Sequence, residues 1–205
     1  MKEHSLNQLD NFMGAWVIDS GICDELIDLY HKSPHKERGL LGIKQYRPEE
    51  KDSTDVRLQN HPDYLEKYFK HLYDASSEYV KKYPYSNHYS PWVITESVNI
   101  QHYKPGGGYK IWHTERCNAH YPYITRHLVF MTYLNDVTDC GETEFFHQKL
   151  KVKPEKGLTL VWPADWTFTH RGIVSPTQDK YIVTGWFNFV TTEQWEFIQK
   201  KISLG

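Results

Sequence analysis

KYIVTGWFNFV, residues 180–190, reads as one long β-strand. β-Branched and aromatic side chains dominate it, and the pleat puts Lys180, Ile182, Thr184 and Trp186 on one face. The region after Pro91 shares this texture. WVITESVNIQHY (92–103), YKIWHTE (109–115), RHLVFMTYLND (126–136), ETEFF (142–146), LKVKP (150–154) and GLTLVW (157–162) are short runs of the same residue types, divided by Gly, Pro, Asn or Asp. About seven or eight closely spaced strands predict two packed sheets, a sandwich or jelly roll.

Helical patterns flank this block. WVIDSGI (16–22) reads as a short strand and turn. CDELIDLYHK (23–32) then places Leu26, Ile27 and Tyr30 at helical spacing behind an acidic start. HPDYLEKYFKHLYDASSEYVKKY (61–83) is a second amphipathic helix, with Pro62 near its start and Tyr64, Leu65, Tyr68, Phe69, Leu72 and Tyr73 on or near one face. TTEQWEFIQKKI (191–202) is a third, with a threonine cap. Residues 33–60 are polar and turn-rich, and read as a long mobile loop that folds over a site as a lid. The layout is α+β around an all-β core.

Composition narrows the function classes. The chain has 205 residues, a formal net charge of −2 and 15% aromatic residues, with a pI near 6.6. Nothing in that balance calls for nucleic acid or an anionic membrane as partner. No apolar run approaches the ~18 residues of a membrane span, and the first fifteen residues carry Lys2, Glu3, His4 and Asp10 rather than an apolar signal core. Cys23, Cys117 and Cys140 are too scattered for a disulfide framework or a zinc site. The expected setting is cytoplasmic and reducing.

The candidate chemistry begins in IWHTERC (111–117). On a strand, His113 and Glu115 share a face, and a second histidine from a distant strand would complete the 2-His-1-carboxylate face of non-haem Fe(II) sites. Spacing alone is weak, because His35-Lys36-Glu37 and His61-Pro62-Asp63 repeat it. Those two lie in the polar loop and at a helix start without a third ligand, and read as solvated. His170, in WTFTHRGIV, lies between two predicted strands and supplies the third ligand for His113 and Glu115. Ten residues on, Lys180 is a cation on an inward apolar face, which is costly without a partner; a dicarboxylate would be one. Arg126 either meets a substrate carboxylate or pairs with an acidic residue at the sheet edge. Arg171 points away from His170 and reaches the site mouth. His102, His120, His127 and His147 read as structural or surface residues. PGGG (105–108) lacks the lysine and helix of a phosphate loop and reads as a turn.

From Asn99 to Phe189 the chain resembles the 2-oxoglutarate- and Fe(II)-dependent dioxygenases of the prolyl 4-hydroxylase type. QHYKPGGGYKIWHTE, RHLVFMTYLND, CGETEF, VKPEKGLTLVW and THRGIVSPTQDKYIVTGWF carry the likeness in order and spacing, most closely to phage-encoded and marine bacterial forms. The resemblance implies a double-stranded β-helix (jelly-roll, cupin-like) core with N-terminal supporting helices. It implies a single domain over 1–205: N-terminal helices 1–90, catalytic core 91–190 and C-terminal helix 191–205. It implies Fe(II) on His113, Glu115 and His170, with Lys180 on the distal carboxylate of 2-oxoglutarate. Tyr133 would add a second hydrogen bond there, and Tyr103 would sit at the iron-bound end. Val129, Met131 and Trp186 would form pocket wall. The implied reaction uses O2, with ascorbate as reductant, releases succinate and CO2, and hydroxylates an aliphatic C–H, foremost a prolyl residue of a peptide or protein. A free amino acid or other small metabolite is the second substrate class, and a non-catalytic jelly-roll binding module the third reading. Two departures stand out: many relatives carry aspartate at the position of Glu115, and a second glycine at that of Cys140, here expected to be a tolerated turn change. Family halogenases lack the carboxylate, so Glu115 points to hydroxylation.

Overall fold

The computed structural model describes residues 2–3, 11–41 and 45–203. Its main element is an antiparallel sheet with nine strands among the described residues. Across the sheet run Lys2–Glu3, Gly14–Val17, Leu158–Pro163, Arg126–Tyr133, Lys180–Phe189, Asn99–Tyr103, Thr54–Arg57 and Glu37–Arg38, with Trp92–Val93 paired to the far end of Lys180–Phe189. A small sheet of Leu150–Val152, Thr143–Phe145 and His170–Gly172 packs against one face. A ribbon joins Lys51–Asp52 to Gly108–Tyr109. This is the expected α+β architecture with a jelly-roll core.

Strand alternation builds two cores from one sheet. Val129, Met131 and Tyr133 point toward the small sheet and meet Phe145, Val152 and Trp162. Their neighbours Leu128 and Phe130 point the other way, onto two helices. Helix α1, Ser20–Lys32, and helix α2, Pro62–Lys82, cover that outer face. Thr132 and Thr159 interrupt the apolar surface there, and their hydroxyls are satisfied in series: Tyr68 meets Thr132 at 2.9 Å, Thr132 meets Thr159 at 2.8 Å, and Thr159 donates to the Gly157 carbonyl at 3.3 Å. The carbonyl only accepts, so donation runs inward from Tyr68.

Several sequence expectations shift. Helix α1 starts earlier than CDELIDLYHK, because Asp19 caps it by accepting from the Gly21 amide at 2.7 Å; Asp24 and Glu25 therefore lie beyond its first turn. Helix α2 begins at Pro62 as expected, but its buried stripe runs through Tyr68, Leu72, Ala75 and Tyr79, leaving Tyr73 exposed. Helix α3, Thr192–Ser203, is capped reciprocally by Thr191 and Gln194, at 3.2 and 2.9 Å. The expected mobile loop at 33–60 instead carries strands, and Thr54–Arg57 pairs with Asn99–Tyr103 in the large sheet; residues 42–44 of that stretch lie outside the described residues. YKIWHTE is not a strand beyond Tyr109: His113 sits in an isolated bridge and Glu115 in a bend. Cys140 has φ +62°, the left-handed conformation in which a glycine carries no Cβ penalty. No described helix is long and apolar enough to cross a membrane.

The buried hydroxyl chain and the apolar stripe contribute differently to stability. Tyr68→Phe removes one neutral hydrogen bond and is expected to cost about 1 kcal/mol. Leu72→Ala, one turn along the same stripe, empties a fully packed position and is expected to cost about 2–5 kcal/mol. Equilibrium urea unfolding with unchanged m-values checks both.

Candidate active site

His113 and His170 are joined backbone to backbone. His113 N donates to His170 O at 3.0 Å, and His170 N returns the bond to His113 O at 2.9 Å. This closed pair sets the two imidazoles side by side, with ring centroids 4.3 Å apart. Each ring is then fixed by the same local device. His113 Nδ1 lies 2.9 Å from the Ile111 carbonyl, and His170 Nδ1 lies 2.9 Å from the Phe168 carbonyl. A carbonyl only accepts, so both Nδ1 atoms carry protons, and in the neutral rings both Nε2 atoms present lone pairs. Tyr109 stacks flat on His113 at 3.6 Å and 9°, holding the ring plane.

Glu115 faces both lone pairs. Its Oε1 lies 3.6 Å from each Nε2, and the three candidate ligand atoms fall within 4.8 Å of one another. Burial pushes the Glu115 carboxyl up, but the hydrogen bond and charge of His113, with His170 and Arg126, hold it down at about 2. Burial, with the neighbouring His113, lowers His170 to about 4. Near neutral pH the cluster is therefore an ionised carboxylate beside a neutral imidazole. With both rings in the neutral tautomer that Ile111 and Phe168 select, the three facing atoms are all acceptors, an arrangement that a divalent cation resolves. Imidazole and carboxylate together suit Fe(II) among other divalent metals. Among the described residues, this is the one group of three such side chains close enough to share an ion; His35 and Glu37, like His61 and Asp63, belong to no such group.

The cluster opens into a cavity of about 540 Å³ that also exposes Tyr103, Lys180, Thr143, Met131, Ile182 and Trp186. Lys180 is 5% exposed. Its Nζ donates to the Gly141 carbonyl at 3.0 Å and lies 5.2 Å from the centre of the Tyr103 ring. Burial lowers its pKa from 10.5 to about 8. Tyr103 donates to Gln101 Oε1 at 2.7 Å. The Gln101 amide is oriented by donating to the Asp55 carboxylate at 3.3 Å, so the Tyr103 proton is already engaged by a side chain of the cavity wall. Tyr133 is fully buried and does not line the cavity; its hydroxyl meets Thr143 Oγ1 at 2.6 Å, and Thr143 is the hydroxyl at the wall. Val129 is likewise one layer behind, whereas Met131 and Trp186 are wall.

Arg126 takes the ion-pair reading. It binds Glu96 through Nε at 2.8 Å and Nη2 at 2.6 Å, and reaches the carbonyl of Glu115 at 3.0 Å. Arg171 turns away and pairs with Glu144 at 2.8 Å instead of reaching the mouth. His127 donates to the Ser86 carbonyl at 2.7 Å, and His102 bridges Tyr30 and Asp179, both away from the cavity. Glu37, Arg38 and Arg57, from the stretch read as a lid, form the outer rim as part of a sheet. Sequence reading missed Tyr109, Thr143 and Glu96. Thr143 lay inside a quoted block and its strand parity could have flagged it; Glu96 carried no local signal.

Residues 98–188 match the 2OG-Fe(II) oxygenase superfamily. Solved structures that share the fold include three prolyl hydroxylases. The viral collagen prolyl hydroxylase of Paramecium bursaria Chlorella virus-1, in complex with 2OG, is 19% identical with a TM-score of 0.59, covering 88% of this chain and 98% of its own. A Pseudomonas putida prolyl-4-hydroxylase is 14% identical with a TM-score of 0.65, covering 87% and 94%. A Trichoplax adhaerens prolyl hydroxylase, solved with a hypoxia inducible factor oxygen degradation domain peptide fragment, is 16% identical with a TM-score of 0.68, covering 88% and 84%. No curated protein matches the chain by sequence. The family matched over that segment is one of enzymes that work with Fe(II), 2-oxoglutarate and O2, and the His113, Glu115 and His170 cluster fits its metal.

The buried lysine has a measurable signature in the ligand-free protein. Below about pH 8 Lys180 is charged in both folded and unfolded states, and the fold bears the full cost of burying that charge. Between about 8 and 10.5 the folded protein gives up the proton first, so stability rises with pH across that window. Ligand-free wild type is expected to gain stability relative to Lys180→Met from pH 8 to 10, read as the difference of their Tm values against pH.

Proposed function

We propose that the chain is a 2-oxoglutarate- and O2-dependent Fe(II) dioxygenase that hydroxylates an aliphatic C–H of a prolyl residue in a peptide or protein, releasing succinate and CO2. The observation that carries it is one cavity holding both a three-acceptor cluster and a buried lysine with no carboxylate in ion-pair range among the described residues. In this reading His113, Glu115 and His170 hold the iron. Bound iron, with its cosubstrate and O2, supplies the oxidising power that no side chain has.

The chain's own residues do the rest. Lys180 gives a charge-assisted bond to the distal carboxylate of 2-oxoglutarate, which offsets the cost of its burial. Thr143 adds a hydroxyl to that end, backed by Tyr133. Tyr103 forms the wall beside the metal end and presents its ring and oxygen rather than its proton. Ile182, Met131 and Trp162 line the cavity and exclude water. The prolyl target is supported by the three fold neighbours described above, which are prolyl hydroxylases, one of them solved with a peptide fragment. We read 1–205 as one catalytic domain, in a reducing cytoplasm in keeping with three free cysteines.

Incubation of the purified chain with Fe(II), 2-oxoglutarate, ascorbate and O2 is expected to yield succinate, accelerated by a prolyl peptide that gains one oxygen by mass spectrometry. His170→Ala is expected to abolish both. Lys180→Ala is expected to raise the KM for 2-oxoglutarate roughly 10–100-fold, and wild-type affinity to fall above about pH 8 as the free lysine loses its proton. Succinate without oxygenated peptide, but with an oxygenated free amino acid, would replace the substrate half of the proposal. An unchanged KM in Lys180→Ala would remove the cosubstrate pocket.

A further inference from the structure

The two oxygens of Glu115 live in opposite surroundings. Oε2 accepts from Trp186 Nε1 at 3.0 Å and from Arg126 Nη1 at 3.4 Å. Oε1 faces the two Nε2 atoms, 3.6 Å from each. Trp186 has a single N–H and nothing to accept with, so an acceptor is the only group it can favour there. Arg126 is held rigidly on every side. Its guanidinium packs 3.7 Å from the Trp186 ring centre and 4.5 Å from that of Tyr123, while Glu96 binds its other edge. Glu96 in turn accepts from the fully buried Asn188 at 2.9 Å.

We infer that Trp186 and the Glu96-clamped Arg126 are positioning residues that saturate Oε2, turn Oε1 alone toward the metal, and make the site require glutamate at position 115. The inference rests on the iron-site reading above. Aspartate would withdraw the carboxylate by about 1.5 Å, one C–C bond. It would then either leave the indole N–H without its acceptor or leave the metal. The longer side chain is thus matched to a cradle set back from the two histidines. The departure from the family's usual aspartate becomes a coupled feature of Glu115, Trp186 and Arg126. The guanidinium is also committed to this task, with Nε and both terminal nitrogens engaged, which removes it as a partner for a substrate carboxylate.

The test is a titration of the metal-free full chain with Co(II) alone, without cosubstrate, following affinity and the visible absorption of the bound ion. Trp186→Phe keeps the ring against Arg126 and deletes only the N–H. It and Glu115→Asp are each expected to weaken Co(II) binding about 10–100-fold and to change the absorption bands. The double variant is expected to bind no worse than Glu115→Asp, because the shorter carboxylate has already lost the indole. Either single variant binding within twofold of wild type with the wild-type spectrum overturns the cradle, as does full additivity in the double variant. His113→Ala separates the two levels. If it leaves Co(II) affinity unchanged, the iron-site reading falls and takes the cradle with it. If it abolishes binding while Trp186→Phe is silent, the cradle alone falls.

Discussion

Everything in the site depends on one closed pair of backbone hydrogen bonds, between His113 and His170. An antiparallel pair that exchanges both bonds holds its Cα atoms about 5.5 Å apart, so two side chains from distant parts of the chain are brought to one place by main chain alone. His170 arrives on the small sheet, paired through Thr143–Phe145. His113 arrives from a segment that has already left the sheet at Tyr109. The bridge is what the irregular segment has in place of a strand. From it follow the facing imidazoles, the bend that returns Glu115 to them, and the mouth of the cavity.

The charges around this pair are arranged so that each buried ion meets either a fixed partner or an open space. Arg126 and Glu96 satisfy one another and lend one edge to Glu115. Glu115 in turn keeps one oxygen bare. Lys180 donates to a carbonyl and otherwise faces the cavity. A buried lysine without a carboxylate is unfavourable in a protein selected for stability alone. The cavity therefore has opposite electrostatic ends, acceptors at His113, Glu115 and His170 and a cation at Lys180. That polarity suits a ligand that chelates a cation at one end and carries a carboxylate at the other.

The segment between residues 33 and 60 shows how polarity misleads. Its charges read as a solvated loop, yet Lys51, Ser53 and Asp55 are drawn into a network with Gln101 that backs Tyr103. Polar side chains on an edge strand cannot be told from polar side chains in a loop until their partners are known. Tyr133 shows a different limit of sequence reading. Its strand parity is right, since it faces inward, but depth along that face places Thr143 between it and the cavity. Parity fixes a face and leaves layer undetermined.

The sequence by itself determined what has a period or a short range. The alternation in Arg126–Tyr133 and Lys180–Phe189 specified two buried faces, Pro62 and the stripe after it specified helix α2, and His170 with Lys180 ten residues on specified two inward groups on successive strands. Only the tertiary structure decided which acid meets Arg126, which indole holds Glu115, and that HTE is a bridge and bend rather than a strand. Those contacts join Glu96, Glu115, Arg126 and Trp186 across four separate segments. Their energies arise from burial and direction of single N–H groups, quantities that exist only once the sheets have closed.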